Sequence, residues 1–234
     1  DYWLAESLIP HMRLSHQAMP YLRWSYFRSS HDDLMAVFPF VEGQGFSGDV
    51  RGASADQILA SFATVPIFDR EQSQAGKPFW TEAYFDPAGT GWMIGHAAPV
   101  RVDGRAIGVV GTAVAVDFLN SFMRAFDYPA GRLWLLNPQG QVLAASDGRN
   151  QAGLRLLQIG DILPESLRDL EPERLLAASA EFQRIGDQYV LAQSVGSTSW
   201  TLLFAASSNE LNAVILPRLM PYAIILAGLV LTLL

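Results

Sequence analysis

The residues able to do chemistry are aromatic and mixed in charge. Tyr26 and Arg28 alternate onto one face of a strand-like run, and Trp92, Ile94 and His96 do the same in a later one. Trp80, Tyr84, Asp86 and Arg70 fall in the loop-and-strand stretch between them. Aromatic walls with a few convergent polar groups suit a pocket for a small ligand. Other chemistries find less support. Gly43-Gln44-Gly45-Phe46-Ser47-Gly48 spells a dinucleotide fingerprint, but Asp49-Val50-Arg51-Gly52 follows where a helix would have to open. Ser25, Ser29 and Ser30 lie near His31 and Asp32, yet adjacency in a turn makes no triad, and no G-x-S-x-G elbow occurs. His11 and His16 are five apart and diverge on a helix, while Asp86-Pro87-Ala88-Gly89 lacks the acidic spacing of a calcium loop. We therefore expect no catalysis, no metal and no cofactor in this segment.

Composition narrows the partners. The chain has 234 residues, 50% hydrophobic and 17% charged, enough to bury one large core or two small ones. Net charge is −7, with Lys77 the only lysine and no basic stripe, so nucleic acid is not expected. Cysteine is absent, which removes disulfides and thiolate sites. The last charged residue is Arg218. From Leu219 to Leu234 the sequence is uncharged and strongly apolar to its last residue, which predicts part of a transmembrane helix.

The elements that must position these residues follow from periodicity and turn chemistry. A helix kinked at Pro10 is expected over Tyr2 to Met19. Trp24 to Arg28 and Leu34 to Phe40 read as strands around a polar turn. Ser54 and Gln57 have capping-box spacing for a helix to about Ala63. Phe79 to Phe85, Trp92 to Val102 and Ala106 to Val116 read as strands, the last two joined at Asp103-Gly104, and Asp117 to Phe126 as a helix. A second unit opens near Gly131. It has a hairpin at Asn137-Pro138-Gln139-Gly140, short helices around Pro164 to Leu170 and Pro172 to Ala178, and strands over Glu181 to Ile185, Tyr189 to Ser194 and Trp200 to Ala206. The same order of elements appears twice, which predicts two related α+β modules with antiparallel sheets.

That order, with its local wording, resembles the double Cache domain, the extracytoplasmic sensor of bacterial receptors. The wording is Trp24-Ser25-Tyr26-Phe27 with Phe38-Pro39-Phe40, Phe79-Trp80-Thr81-Glu82-Ala83-Tyr84-Phe85-Asp86, Ala98-Pro99-Val100 with Gly108-Val109-Val110-Gly111, and Asn137 to Leu143. Thr198-Ser199-Trp200-Thr201-Leu202 before the apolar helix completes it. The resemblance implies an α+β fold with a long N-terminal helix, two tandem PAS-like modules and a C-terminal transmembrane helix. Its divisions are an N-terminal signalling helix at 1–23, a membrane-distal module at 24–130, a proximal one at 131–207 and the spanning helix at 208–234. It also implies a periplasmic sensor in the bacterial inner membrane, homodimeric in the full receptor, with a small-molecule ligand bound distally. The output would be a diguanylate cyclase, a histidine kinase or a chemoreceptor. The expected ligand residues are Tyr26, Arg28, Arg70, Trp80, Tyr84, Asp86 and His96. Amino-acid-binding members carry an Arg-x-Trp-Tyr stretch where this chain has Phe68 to Ser73, and an aspartate where it has Ala113. Tyr84 alone survives of that set, which points away from a generic amino-acid ligand. Two rivals are a ligand-free interaction or dimerisation module and a membrane-anchored periplasmic enzyme.

Overall fold

The computed structural model describes the chain except residues 1, 32–33, 40–53, 55, 58–59, 61, 63–64, 69–74, 88, 127, 153–154, 169–178, 197 and 233–234. The side chains of residues 2, 4–5, 152, 179–180 and 223–232 are likewise outside the description. The chain divides into two compact units, Asp1–Leu119 and Asn120–Leu234.

The first unit opens with helix α1 (Tyr2–Ala18), which runs through Pro10. It has 17 residues, shorter than the long helix expected, and strand β1 (Leu22–Ser29) already begins inside the 1–23 stretch read as helical. Strands β2 (Met35–Phe38), β3 (Phe79–Trp80), β4 (Tyr84–Phe85), β5 (Trp92–Val102) and β6 (Arg105–Ala115) follow. They form one antiparallel sheet in the order β2-β1-β6-β5-β3, with β4 also paired to β5. The β5–β6 hairpin turns at Asp103 (φ 50°) and Gly104 (φ 78°), the double positive φ that suits tightly twisted strands. Hydrogen bonds between Ser54 and Gln57, backbone to side chain in both directions at 2.9 and 3.3 Å, make the expected capping box. The Gly43–Gly48 loop and Arg70 lie outside the described residues.

The run expected as one strand, Phe79 to Phe85, is two short ones. Trp80 pairs with His96 and Tyr84 with Met93, so the register slips by one residue across Glu82-Ala83. Thr81 holds the ladder up to that point: its N–H donates to the Gly95 carbonyl (2.9 Å) and its Oγ1 accepts from the Gly95 N–H (2.8 Å). Side chains alternate with period two, so a one-residue slip moves everything after it to the other face.

Both faces of this sheet are covered. On the outer face Met12, Leu8 and Ile9 of α1 pack with Phe27, Ala36, Phe38 and Val100. On the inner face a cluster holds Trp24, Tyr26, Tyr84, Met93, Ala97 and Ala113 together with Phe62, Val65, Ile67 and Phe68. Ile67, fully buried in a 3-10 turn (Pro66–Phe68), sits in a notch left by two glycines. A Cβ on Gly95 or Gly111 would lie 3.0 or 2.6 Å from its Cδ1.

Helix α2 (Val116–Arg124) holds the division between the units. In the second unit β7 (Arg132–Leu136), β8 (Val142–Ala145), β11 (Ser179–Ile185), β12 (Gln188–Ser194) and β13 (Thr201–Ser207) form an antiparallel sheet in the order β11-β12-β13-β7-β8. A minor pair, β9 (Gln151–Ala152) and β10 (Arg155–Leu156), precedes the one-turn helix α3 (Ile159–Ile162). That helix starts before the expected one. Leu163 precedes a proline and is extended (φ −61°, ψ 146°), which ends it; among the described residues of the expected stretch a 3-10 turn, Glu165–Leu167, follows. The other expected helix, Pro172 to Ala178, lies outside the described residues. Trp134, Leu136, Val142, Val190 and Leu203 face Ile159, Leu163 and Leu167 across this core.

Helix α4 (Ser208–Thr232) is continuous through Pro217 and Pro221 and starts directly after β13. Among the described residues, no helix is long and apolar enough to cross a membrane, which departs from the transmembrane expectation.

Candidate ligand-binding site

The inner face of the first sheet gathers four of the seven expected residues. Tyr26 pairs with Gly111, and Gly111 with Ala97, so the phenol of Tyr26 stands over a floor of minimal side chains. The slip at Glu82-Ala83 turns Tyr84 to the same side. Asp86 follows β4 and is 2% exposed. Its Oδ2 accepts the indole N–H of Trp24 (3.0 Å) and the hydroxyl of Thr90. The turn that carries it is closed by the Asp86 N–H to Gly91 and the Gly89 N–H to Asp86 (both 2.8 Å). Arg28, also buried, places its guanidinium 5.4 Å from the Phe68 ring centre. Phe68 in turn meets Tyr26 edge-on at 5.7 Å.

The electrostatics of this group are those of buried phenols beside a carboxylate. Burial raises the Tyr26 phenol well above its ordinary value, and the neighbouring Tyr84 and Asp86 raise it further. Tyr84 is raised in the same way, by burial first and then by Asp86. Both stay protonated at any physiological pH. The Tyr84 hydroxyl is buried without a hydrogen-bond partner of normal geometry, although that of Tyr26 is close enough to influence it. Trp24 and Arg28 are four residues apart on β1, so the carboxylate end and the guanidinium end start about 13 Å apart along the strand. Two neighbouring buried phenols, a held carboxylate and a cation beside an aromatic ring can recognise a small polar molecule.

Trp80 and His96 stand elsewhere. They pair across β3 and β5 with rings 4.7 Å apart, on the outer face that α1 covers. Their row continues through Thr112 and Ser25 to Phe38. His16 reaches this row from α1: its Nε2 is 3.0 Å from Ser25 Oγ, and its ring meets Phe38 edge-on at 5.0 Å. Trp80 and His96 therefore do not share a pocket wall with Tyr84. Sequence reasoning missed Trp24, Phe68 and Thr90. Trp24 was legible, two residues before Tyr26 on an alternating strand; nothing local marks Thr90.

The outer-face row carries a pH prediction. Desolvation lowers both His16 and His96 below the ordinary 6.5, so below that value the unfolded chain binds more protons than the folded one. Their contribution is present above pH 6.5 and lost as pH falls through it. Melting curves between pH 7 and 5 should show a smaller fall in Tm for the double variant His16→Gln, His96→Gln than for the parent. An equal fall would remove these histidines from the acid response.

The fold is that of extracellular ligand-binding domains of bacterial receptors. The ligand-binding domain of the Pseudomonas aeruginosa PAO1 amino acid chemoreceptor PctB, solved with L-Arg, superposes with a TM-score of 0.57 at 15% identity, covering 91% of this chain and 78% of that one. That of the Pseudomonas fluorescens chemoreceptor CtaA, solved with L-leucine, gives 0.57 at 16% identity over 83% and 75%. The extracellular domain of a histidine kinase gives 0.62 at 12% identity over 91% and 83%. No family model and no curated protein matches the sequence.

Proposed function

We propose that this chain is the extracytoplasmic sensor portion of a bacterial membrane receptor. It binds a small polar ligand on the inner face of the first unit, against Tyr26, Arg28, Tyr84 and Asp86. The observation that carries this is that a buried carboxylate, a buried guanidinium and two neighbouring buried phenols border one aromatic cluster on the inner face. The sensor fold and the small ligands of PctB and CtaA support it. Ser207 leads without a linker into α4, and exposed Ile215, Leu216, Leu219, Met220 and Tyr222 favour a membrane on that side. The first unit is then membrane-distal and the second proximal. The receptor works as a homodimer, this segment does not catalyse, and its output is a histidine kinase, a diguanylate cyclase or a chemotaxis signal.

The test is a thermal-shift panel of amino acids, amines and short carboxylates. A ligand at about 100 times its Kd stabilises the fold by about 2.7 kcal/mol, a readily measured rise in Tm. Tyr84→Ala and Asp86→Asn should lose that rise, while the surface change Arg149→Ala should keep it. Retention of the full shift in both inner-face variants would overturn the assignment. One observation favours the ligand-free interaction module instead: Ile67 already fills the glycine notch on this face. A panel in which nothing shifts the parent protein would favour that reading.

A further inference from the structure

The first turn of α4 is held by two unrelated parts of the second unit. A helix leaves its first N–H groups without intrahelical acceptors. Here Ser207 and Glu210 satisfy two positions between themselves. Glu210 Oε2 accepts the Ser207 N–H and hydroxyl (both 2.8 Å), and Ser207 Oγ accepts the Glu210 N–H (3.1 Å). The N–H of Ser208, the first helical residue, is beyond reach of that capping box. It donates instead to the backbone carbonyl of Asp187 at 2.8 Å, and the Ser208 hydroxyl donates to the same oxygen at 3.0 Å.

Asp187 belongs to the tight β11–β12 turn, where Gly186 has φ 62°. That turn is braced on both sides. Arg184 Nε donates to the Gly186 carbonyl (3.3 Å), and Gln188 Nε2 donates to Asp187 Oδ1 (3.3 Å). Gln188 is buried and pairs directly with Ser207. The helix start is therefore registered against the tip of the edge hairpin as well as against its own strand.

We infer that the Asp187 carbonyl is a latch through which the position of the β11–β12 hairpin sets the stability of the first turn of α4. This rests on the proposed sensor role, in which α4, leading from the last strand toward the membrane, would carry the signal, but the latch can be tested without any receptor output. Ser208→Pro removes both bonds to Asp187. It suits the helix otherwise, because proline is favoured at the first helical position and pushes Ser207 toward the extended backbone a cap needs. Gly186→Val disturbs the turn, since a β-branched residue resists positive φ.

Amide hydrogen exchange of the whole chain is read over the early turns of α4, residues 209–216. Gly186→Val should speed exchange there by about tenfold in the parent background and by less than about twofold in Ser208→Pro. An unchanged rate in the parent background, or the same acceleration in both, would overturn the latch. Near-UV circular dichroism verifies that each variant is folded, and Gly186→Ala serves as a milder turn variant with the same expected pattern. Loss of ligand shifts with this pattern intact would sink the sensor reading alone.

Discussion

Gly108→Ala should unfold the first unit more readily than any other single methyl added to its sheet. A Cβ there would lie 2.4 Å from the Arg28 carbonyl oxygen and 2.7 and 2.8 Å from ring carbons of Phe27. Neither neighbour can yield. The oxygen belongs to the β1 backbone, which is paired along its length, and Phe27 is 0% exposed under α1. Overpacking of this kind costs about 3 kcal/mol where the backbone itself must shift. For a unit of this size that is a fall in Tm of about 10 °C or more. Gly111→Ala is the control. Its Cβ would meet Cδ1 and Cγ1 of the equally buried Ile67 at 2.6 and 2.8 Å, but the nearest backbone atom, the His96 carbonyl oxygen, only at 3.1 Å, so a smaller loss of about 2 kcal/mol is expected. Chemical denaturation of both variants decides the matter. A larger loss at Gly111 than at Gly108 would mean the β1–β6 contact is looser than described.

Asn120→Leu should be as damaging to the second unit. Asn120 is a buried hub: its Oδ1 accepts the Ala145 N–H (2.8 Å), and its Nδ2 donates to the Gly148 carbonyl (3.2 Å) and to Asn150 Oδ1. Asn150 is fully buried and donates onward to the Leu143 carbonyl at 3.0 Å. Leucine has similar volume but leaves the Ala145 N–H and the Asn150 oxygen buried and unmatched. At about 1–3 kcal/mol for each stranded group, a loss of about 3–4 kcal/mol follows. Asn120→Asp keeps the acceptor for Ala145 and should cost less. Urea unfolding of both variants measures this; a loss below about 1 kcal/mol for leucine would show that the hub is replaceable.

The same contrast between local and distant causes separates what the sequence reveals from what it conceals. Asp103-Gly104, the Ser54–Gln57 capping box and the S-x-x-E start of α4 are set by neighbours three or fewer residues away, and all three are legible. The face of Tyr84 is not. In an unbroken strand Trp80, Tyr84 and His96 would share one side, the arrangement the alternating pattern suggests. The slip at Glu82-Ala83 depends on how β5 is engaged, and it sends Tyr84 across the sheet. The Trp24–Asp86 bond, across 62 positions, has no local signature at all. Arg70 lies outside the described residues, so its place in the site rests on sequence alone. At the other end, the uncharged run from Leu219 reads as part of a transmembrane helix, whereas among the described residues no helix is long and apolar enough to cross a membrane.

The two-residue length of β4 has a consequence for how occupancy would be felt. Tyr84 sits on this strand and Asp86 just past it, yet the strand pairs with β5 alone, at the margin of the sheet. So little pairing gives it a low cost of local opening compared with the long β5–β6 hairpin. Like β3, the other two-residue strand paired with β5 alone, β4 opens more readily than the central strands. On the proposed sensor reading, part of the binding free energy would go into ordering this margin, so that its rigidity would report that the site is filled.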